Sequence, residues 1–373
     1  MRIKNRIVAF FRKIPLPLKN YILFESVPDL SDNTKAVYDE MIRREINKRF
    51  KLVWVVNKKS DSFPSNNNTL YVEKNNRIKI GYYRLFSKCV ICCNDFFKKC
   101  SKKQITVYLC HGLGIKKCSD YYRVPNEIDY VIAPADGVVE VVARQLKTDV
   151  KKIVPLGYPR NDVLCGKPRN RLHNIFDNMY SKIIIWYPTF RKHSSGKKFG
   201  GEAAVPIIHN LESAEMLNEV AKNKNALIIV KPHFAQDVSS IIKLNLSNVI
   251  IINDSFLKEH DISSYELLKG SDALITDYSS VFFDYLLCNN PIALVWEDIE
   301  EYRLNPGFDI DFDTYLSGAA KVYNIDELIC FVNKVVDQDD EFSAERNKIK
   351  DLTMFSDGKS SKRVADFIMS KIS

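Results

Sequence analysis

No apolar stretch in this 373-residue chain approaches the ~18 residues that a membrane-crossing helix needs, so no span is expected. Internal repeats and low-complexity tracts are missing as well; Ser65-Asn66-Asn67-Asn68 reads as a polar loop, and 46% hydrophobic residues exclude disorder and collagen-like architectures. The nine cysteines are an odd number without framework spacing, and several sit inside apolar runs (Val90-Ile91-Cys92-Cys93, Tyr108-Leu109-Cys110), which predicts free thiols in a reducing cytoplasm. Cys92 and Cys93 are adjacent in a strand-like run and face opposite ways, so with Cys89 and Cys100 they read as buried thiols rather than as zinc ligands. G-x-x-x-x-G-K-[ST], G-x-G-x-x-G after a strand, G-x-S-x-G and H-E-x-x-H are all lacking. His173, His193, His209 and His260 lack metal-ligand spacing, and the Asp309, Asp311, Asp313 alternation lacks the glycine and distal glutamate of an EF-hand. No metal and no cofactor are expected.

Cations are in excess: 55 Lys and Arg against 46 Asp and Glu give a formal charge of +9, which favours anionic partners. The lysines are dispersed and lack aromatic-rich binding motifs, which argues against nucleic acid. Met1 to Lys19 mixes Arg2, Lys4, Arg6, Arg12, Lys13 and Lys19 with Ile3, Ile7, Val8, Phe10, Phe11, Ile14 and Leu16, with no acid and no small-residue cleavage site. As a helix it separates bases from aromatics and suits an anionic inner leaflet, where each Lys or Arg contributes ~1 kcal/mol. Packing on the protein's own core is the alternative.

At ~150 residues per domain the length predicts two domains. Short β-branched and aromatic runs alternate with helical periodicity, the pattern of βαβ units and parallel sheets. Strands are expected at Tyr21–Phe24, Leu52–Val56, Leu70–Val72, Cys89–Cys92, Ile105–Leu109 and Tyr130–Ala133, then at Ile183–Tyr187, Leu227–Lys231, Val249–Ile252, Ala273–Thr276 and Ile292–Val295. Val37, Met41, Ile42 and Ile46 predict a helix over Thr34–Arg49 capped by Asp32 or Asn33. Others are expected at about 210–222, 263–269, 279–289 and 325–337, with two more closing the chain. Turn residues at Gly157-Tyr158-Pro159-Arg160 place the boundary near residue 160. The expected organisation is a basic segment 1–19, a Rossmann-like domain 20–160 and a second one 161–373, facing across a cleft formed by their strand-end loops.

Chemistry is expected in the loops that follow strands. His111, at the end of one, is followed by Gly112, Gly114, Lys116 and Lys117, a setting for base catalysis beside an anion. Thr189 and Arg191 follow the strand at 183–187, and the arginine fork suits phosphate oxygens. Lys231 and His233 stand past the next strand, where a charged imidazole would stabilise a transferring phosphoryl group. After Thr276 come Asp277-Tyr278-Ser279-Ser280, and a helix starting near Ser279 would aim its N–H groups at an anion, with two uncharged hydroxyls suited to a diphosphate. Asp277 and Ser279 would also serve as helix caps.

In this order, His111-Gly112 with its lysines, Gly157-Tyr158-Pro159-Arg160-Asn161-Asp162, Pro188-Thr189-Phe190-Arg191, Lys231-Pro232-His233 and Ile275-Thr276-Asp277-Tyr278-Ser279-Ser280 leading to Asp284, Pro291 and Glu301-Tyr302 resemble the bacterial CDP-glycerol:glycerophosphotransferases of teichoic acid and capsule synthesis. The resemblance covers about residues 20–340 and is closest to short, primase-sized members. It implies an α/β fold of two Rossmann-like domains (glycosyltransferase-B type), and transfer of a polyol phosphate from CDP-glycerol or another CDP-polyol donor, with CMP released. The implied acceptor is a hydroxyl of a lipid-linked saccharide or polymer, and the implied location the cytoplasmic face of the bacterial membrane, peripherally attached. By motif, His111 resembles the general base, and His233 the histidine that holds the donor phosphates. Ser279 and Ser280 match the diphosphate pair, Thr189 and Arg191 the donor loop; Gly112, Lys231 and Asp284 are carried with the donor-binding set. Leu113-Gly114 stand where Thr-Pro is usual, and Asn305-Pro306-Gly307-Phe308 where Arg-Gly-Phe often occurs. A ribitol-phosphate transferase and a glycosyltransferase of the same fold are the alternatives.

Overall fold

The computed structural model describes residues 17–96, 99–117, 123–166, 171–189, 205–232 and 246–373. The chain forms two compact units, the first from residues up to Leu113, Cys118–Asp162 and Leu352–Ser373, the second from Gly114–Lys117 and Val163–Asp351.

In the first unit, strands β1 (Lys19–Glu25), β2 (Lys51–Val56), β3 (Thr69–Glu73), β4 (Ser87–Cys92), β5 (Ile105–Tyr108), β6 (Tyr130–Ala133) and β7 (Ile153–Pro155) form a parallel sheet of order β3-β2-β1-β4-β5-β6-β7. In the second, β8 (Lys182–Tyr187), β9 (Ala226–Val230), β10 (Val249–Ile251), β11 (Ala273–Thr276), β12 (Ile292–Val295) and β13 (Ala320–Val322) form another, of order β10-β9-β8-β11-β12-β13. Both have the doubly wound pattern, in which helices cover both faces and strands read as unbroken apolar runs, as in the wholly buried Ala226–Val230. The strand order reverses at β1/β4 in one sheet and at β8/β11 in the other, so loops leaving these strands define the two crevices where ligands bind in such folds.

Helix α1 (Asp32–Arg43) buries Val37, Tyr38 and Met41 against the first sheet, where Phe24 stacks on Trp54 at 5.2 Å. The expected helix to Arg49 stops at Arg43, because Glu45 takes a left-handed φ of 56° and a 3-10 turn Ile46–Lys48 follows. Helix α2 (Arg77–Phe86) precedes β4, and α3 (Val139–Gln145) precedes β7. In the second unit, α4 (Leu211–Asn223) starts from a reciprocal Asn210/Ser213 capping box, α5 (Val281–Tyr285) follows β11, and α6 (Ile325–Asp337) buries Leu328, Phe331, Val332 and Val335. The helix expected over 279–289 is only α5, five residues long. Strands β7 and β13 were not expected.

One boundary needs correction. The sequence places everything from 161 to 373 in the second domain, yet from Leu352, at the end of α7 (Ser343–Thr353), the chain returns to the first unit. There α8 (Ser360–Ile372) buries Val364, Ala365, Ile368 and Ile372 beside Val37 and Met41. The Asp162 carboxylate accepts from the Ser360 and Ser361 N–H groups, both at 2.8 Å, and so satisfies free donors in the first turn of α8. Gly157 makes the approach possible: at φ +86° it has no Cβ, which would stand 2.2 Å from Ser360 Oγ.

Ile368→Ala should therefore lower unfolding free energy by about 2–5 kcal/mol in a urea titration, while the exposed Lys362→Ala stays within about 0.5 kcal/mol.

Candidate functional site

The second unit's crevice is built by the segments leaving β8 and β11. Thr276 Oγ1 donates to the Tyr187 carbonyl at 2.8 Å, and the chain then turns through Asp277. The buried Asp277 carboxylate accepts from Thr189 N–H (3.1 Å), Thr189 Oγ1–H (3.0 Å) and Tyr278 N–H (2.8 Å). Asp277 thus bolts one loop to the other instead of capping a helix as expected, and the Thr189 hydroxyl donates to that bolt. Ser279 and Ser280 remain half-buried at the start of α5. Because α5 spans little more than one turn, the helix-dipole contribution expected here is small, and the two hydroxyls are the main donors. Ser279 Oγ also accepts weakly from Val281 N–H, at 3.4 Å.

Two residues of the expected donor set are placed differently. Asp284 is fully buried and accepts from Tyr265 Oη at 2.6 Å. Lys231 is fixed by its N–H to the Trp186 carbonyl (2.9 Å), while its ammonium lies 3.0 Å from Asp254, which offsets its charge. Arg191 and His233 lie outside the described residues, as does Met1–Leu16 of the basic segment.

In the first unit, β5 leads into Cys110-His111-Gly112, and the residues on both sides of the histidine have positive φ: 57° at Cys110 and 137° at Gly112. A side chain at Cys110 makes that conformation strained, and a buried amide holds it in place. Asn33 Nδ2 donates to the carbonyls of Leu109 (3.3 Å) and Cys110 (3.0 Å), while Asn33 Oδ1 accepts from Arg160 N–H at 3.0 Å. Arg160 Nη1 in turn donates to Asp32 Oδ1 at 2.7 Å, with both side chains largely buried. Neither Asp32 nor Asn33 caps α1: Ser31 occupies the N-cap, and Asp32 sits at φ 59°, a left-handed conformation that aspartate tolerates.

His111 Nδ1 lies 3.2 Å from the Cys93 carbonyl and 3.5 Å from Tyr108 Oη. A carbonyl oxygen only accepts, so Nδ1 carries the proton and Nε2 the lone pair, the tautomer a general base requires. The residue keeps contact with solvent, but enclosure of its ring by surrounding chain pulls its pKa below the ordinary imidazole value. The Asp32 carboxylate raises it, Arg160 lowers it and the Cys93 carbonyl raises it; the net direction is down, towards a neutral ring.

Asp32, Asn33 and Arg160 escaped the sequence reading as site residues. The first two looked like helix caps and the third lay in a turn block. Their position is the missed signal, since the turn after β1 lies at the point where the sheet order reverses.

Just beyond His111, Gly114–Lys117 belongs to the second unit. There Lys116 bridges Phe308 in antiparallel fashion, Lys117 N–H donates to the Gly307 carbonyl (2.8 Å) and Asp309 N–H to that of Ile115 (3.3 Å). The pairing joins the residues after Leu113-Gly114 to the Asn305–Phe308 block, the two places where the sequence departs from the pattern it resembles. Among the described residues no cluster of His, Cys, Asp or Glu could hold a metal, every cysteine is a free thiol, and no helix is long and apolar enough to cross a membrane.

Residues 8–370 match the family described as CDP-glycerol:poly(glycerophosphate) glycerophosphotransferase. The chain is 28% identical to a teichoic acid ribitol-phosphate primase of Bacillus spizizenii, over 72% of this chain and 70% of that one. It is also 28% identical to a teichoic acid poly(glycerol phosphate) polymerase of the same organism, over 83% and 82%. Identity to a teichoic acid glycerol-phosphate primase of Bacillus subtilis is 24%, over 98% and 96%. The solved wall teichoic acid polymerase TagF shares the fold, with a TM-score of 0.74 at 21% identity over 100% of this chain and 94% of that one.

Asn33→Ala leaves the Leu109 and Cys110 carbonyls and the Arg160 N–H without their partner. It should lower unfolding free energy by at least about 1–3 kcal/mol, the cost of one orphaned buried group, measured by urea titration against the Lys362→Ala control.

Proposed function

Since the chain belongs to the CDP-glycerol:poly(glycerophosphate) glycerophosphotransferase family, we propose that it moves a polyol phosphate, glycerol phosphate in the first reading, from a CDP-activated donor to a hydroxyl acceptor. Within the site, the observation that carries this reading is His111: its Nδ1 is hydrogen-bonded to a backbone carbonyl, which puts the lone pair of the uncharged ring on Nε2, and burial lowers its pKa. Nε2 takes the proton from the acceptor hydroxyl, whose oxygen attacks the β-phosphorus of the donor. The bond from that phosphorus to the bridging oxygen breaks, and CMP leaves with the electron pair. Ser279 and Ser280 donate to the diphosphate, with Arg191 and His233 completing the set by motif; catalysis is then positioning and charge stabilisation, and no cofactor is used. Thr189 and Asp284 hold this loop set in shape.

The second unit binds the donor; the first binds the acceptor and supplies the base. The acceptor is a lipid-linked saccharide or growing polymer of teichoic acid or capsule synthesis, and the protein works peripherally at the cytoplasmic face of the bacterial membrane, aided by its basic first nineteen residues. Ribitol phosphate is the second reading, favoured by the likeness to a ribitol-phosphate primase.

CMP release should be measured with CDP-glycerol and CDP-ribitol in parallel, with UDP-sugars as controls. Acceptor-dependent release from one CDP-polyol is expected, and turnover of a UDP-sugar alone would overturn the reading. His111→Ala should cost about 10²–10⁴-fold in turnover with donor binding kept, while Ser280→Ala mainly raises the donor KM. Because the base acts when unprotonated and its pKa is depressed, turnover should fall with decreasing pH through a midpoint below 6.5. Anionic liposomes should sediment the full chain better than a chain lacking residues 1–18; equal sedimentation removes the membrane role of that segment.

A further inference from the structure

The environment of His111 contains more charge than a hydrogen-bonded imidazole needs. From α1 it is faced by Asp32, from the Gly157–Asp162 turn by Arg160, from the end of β4 by Cys93, and from β5 by Tyr108. Burial pushes the Cys93 thiol and the Tyr108 phenol up, so both are neutral at physiological pH. Among the described residues, the charges facing the ring are therefore Asp32 and Arg160.

These two are joined to each other at 2.7 Å, with side chains only 16% and 10% exposed. A pair so far removed from water loses most of its Coulombic gain to desolvation, so stability is a poor reason for its presence. Its placement is specific. The backbone N–H of Arg160 is held by Asn33, and the same Asn33 side chain holds the two carbonyls that precede His111. Asp32 Oδ1 also accepts from the Asn33 N–H at 2.7 Å. One buried residue thus sets the positions of anion, cation and histidine together.

We propose that the Asp32–Arg160 pair, tied through Asn33 to the two carbonyls that precede His111, is a positioning device for that histidine, a couple of opposite charges whose effects on the imidazole cancel. The inference rests on the reading of His111 as the general base. The two charges act on the imidazolium with opposite sign, the carboxylate stabilising it and the guanidinium opposing it, so they offset one another and leave the ring to the downward pull of its burial. Removing either one exposes the ring to the uncompensated field of the other. Asp32 and Arg160 act through His111 and are positioning residues, not catalytic ones.

The test is an NMR titration of the full-length protein labelled in its histidine rings, with the His111 signal assigned by its loss in His111→Ala. Asp32→Asn keeps an acceptor oxygen and a residue type that tolerates the left-handed backbone, and should lower the His111 midpoint by about one unit. Arg160→Gln should raise it by a similar amount, and the double variant should return it to the wild-type value. Arg160→Lys keeps the charge without the planar fork, and should hold the midpoint while kcat with the CDP-polyol falls and donor KM stays. A merely structural ion pair would lower the melting temperature without this opposed, self-cancelling pattern. Single variants with intact amide spectra whose midpoints stay put, or move in the same direction, would overturn the proposal. If CDP donors are silent while the opposed shifts appear, the pair is upheld and the transfer reading fails; CDP-dependent turnover with unmoved midpoints overturns the pair alone.

Discussion

The carboxamide of Asn33, wholly buried, donates to two successive carbonyls where the chain leaves β5 and accepts from a backbone N–H of the turn after β7. Loops at the reversal point of a doubly wound sheet have left the strand ladder, and their polar groups need partners from elsewhere. Each such bond contributes only about 1 kcal/mol net, but leaving the groups unmet costs more. Here the amide stabilises the left-handed Cys110, and Cys110 directs His111 towards the Cys93 carbonyl that selects its tautomer. The second unit reaches the same end with a charged side chain, Asp277, which gathers donors from two loops beneath Ser279 and Ser280.

This arrangement separates residues that touch substrate from residues that hold them. In the proposed reaction the serine hydroxyls and His111 meet the reactants, whereas Thr189, Asp277, Asp284, Asn33 and the Asp32–Arg160 pair maintain geometry. Preorganised donors of this kind need little rearrangement as charge develops, which is where a catalyst that works by positioning and electrostatics gains most. The joined segments at 115–117 and 307–309 are the places to look for what distinguishes this chain from relatives that handle other polyols.

Much of the architecture was legible because buried parallel strands are uninterrupted apolar runs; Ala273–Thr276 and Ile292–Val295 are found at the residues expected. The two strands that escaped, Ile153–Pro155 and Ala320–Val322, are the outermost of their sheets, three residues long, one ending in proline and the other carrying lysine at its centre. Short edges of this kind carry no periodic signal, which is also how they avoid pairing with other chains. Around the candidate site, the places of His111, Lys231, Ser279 and Ser280 just past strands were legible, because each strand is an apolar run that ends before them. Asn33 and Arg160 were not, since they are 127 residues apart in the chain and their bond is a consequence of topology. The burial of Asp284 and its bond to Tyr265 were not legible, because a motif position says nothing about a carboxylate's surroundings.

The return of α8 to the first unit also governs the order in which the protein is made. Val364, Ala365, Ile368 and Ile372 complete a core whose other members leave the ribosome before Asp162, with Val163–Asp351 of the second unit translated in between. At ordinary elongation rates that interval is roughly ten to forty seconds. During it the first sheet waits with the patch under α8 uncovered, and the second unit is free to fold ahead of the one that precedes it. The last residues made are thus the ones that cover the first.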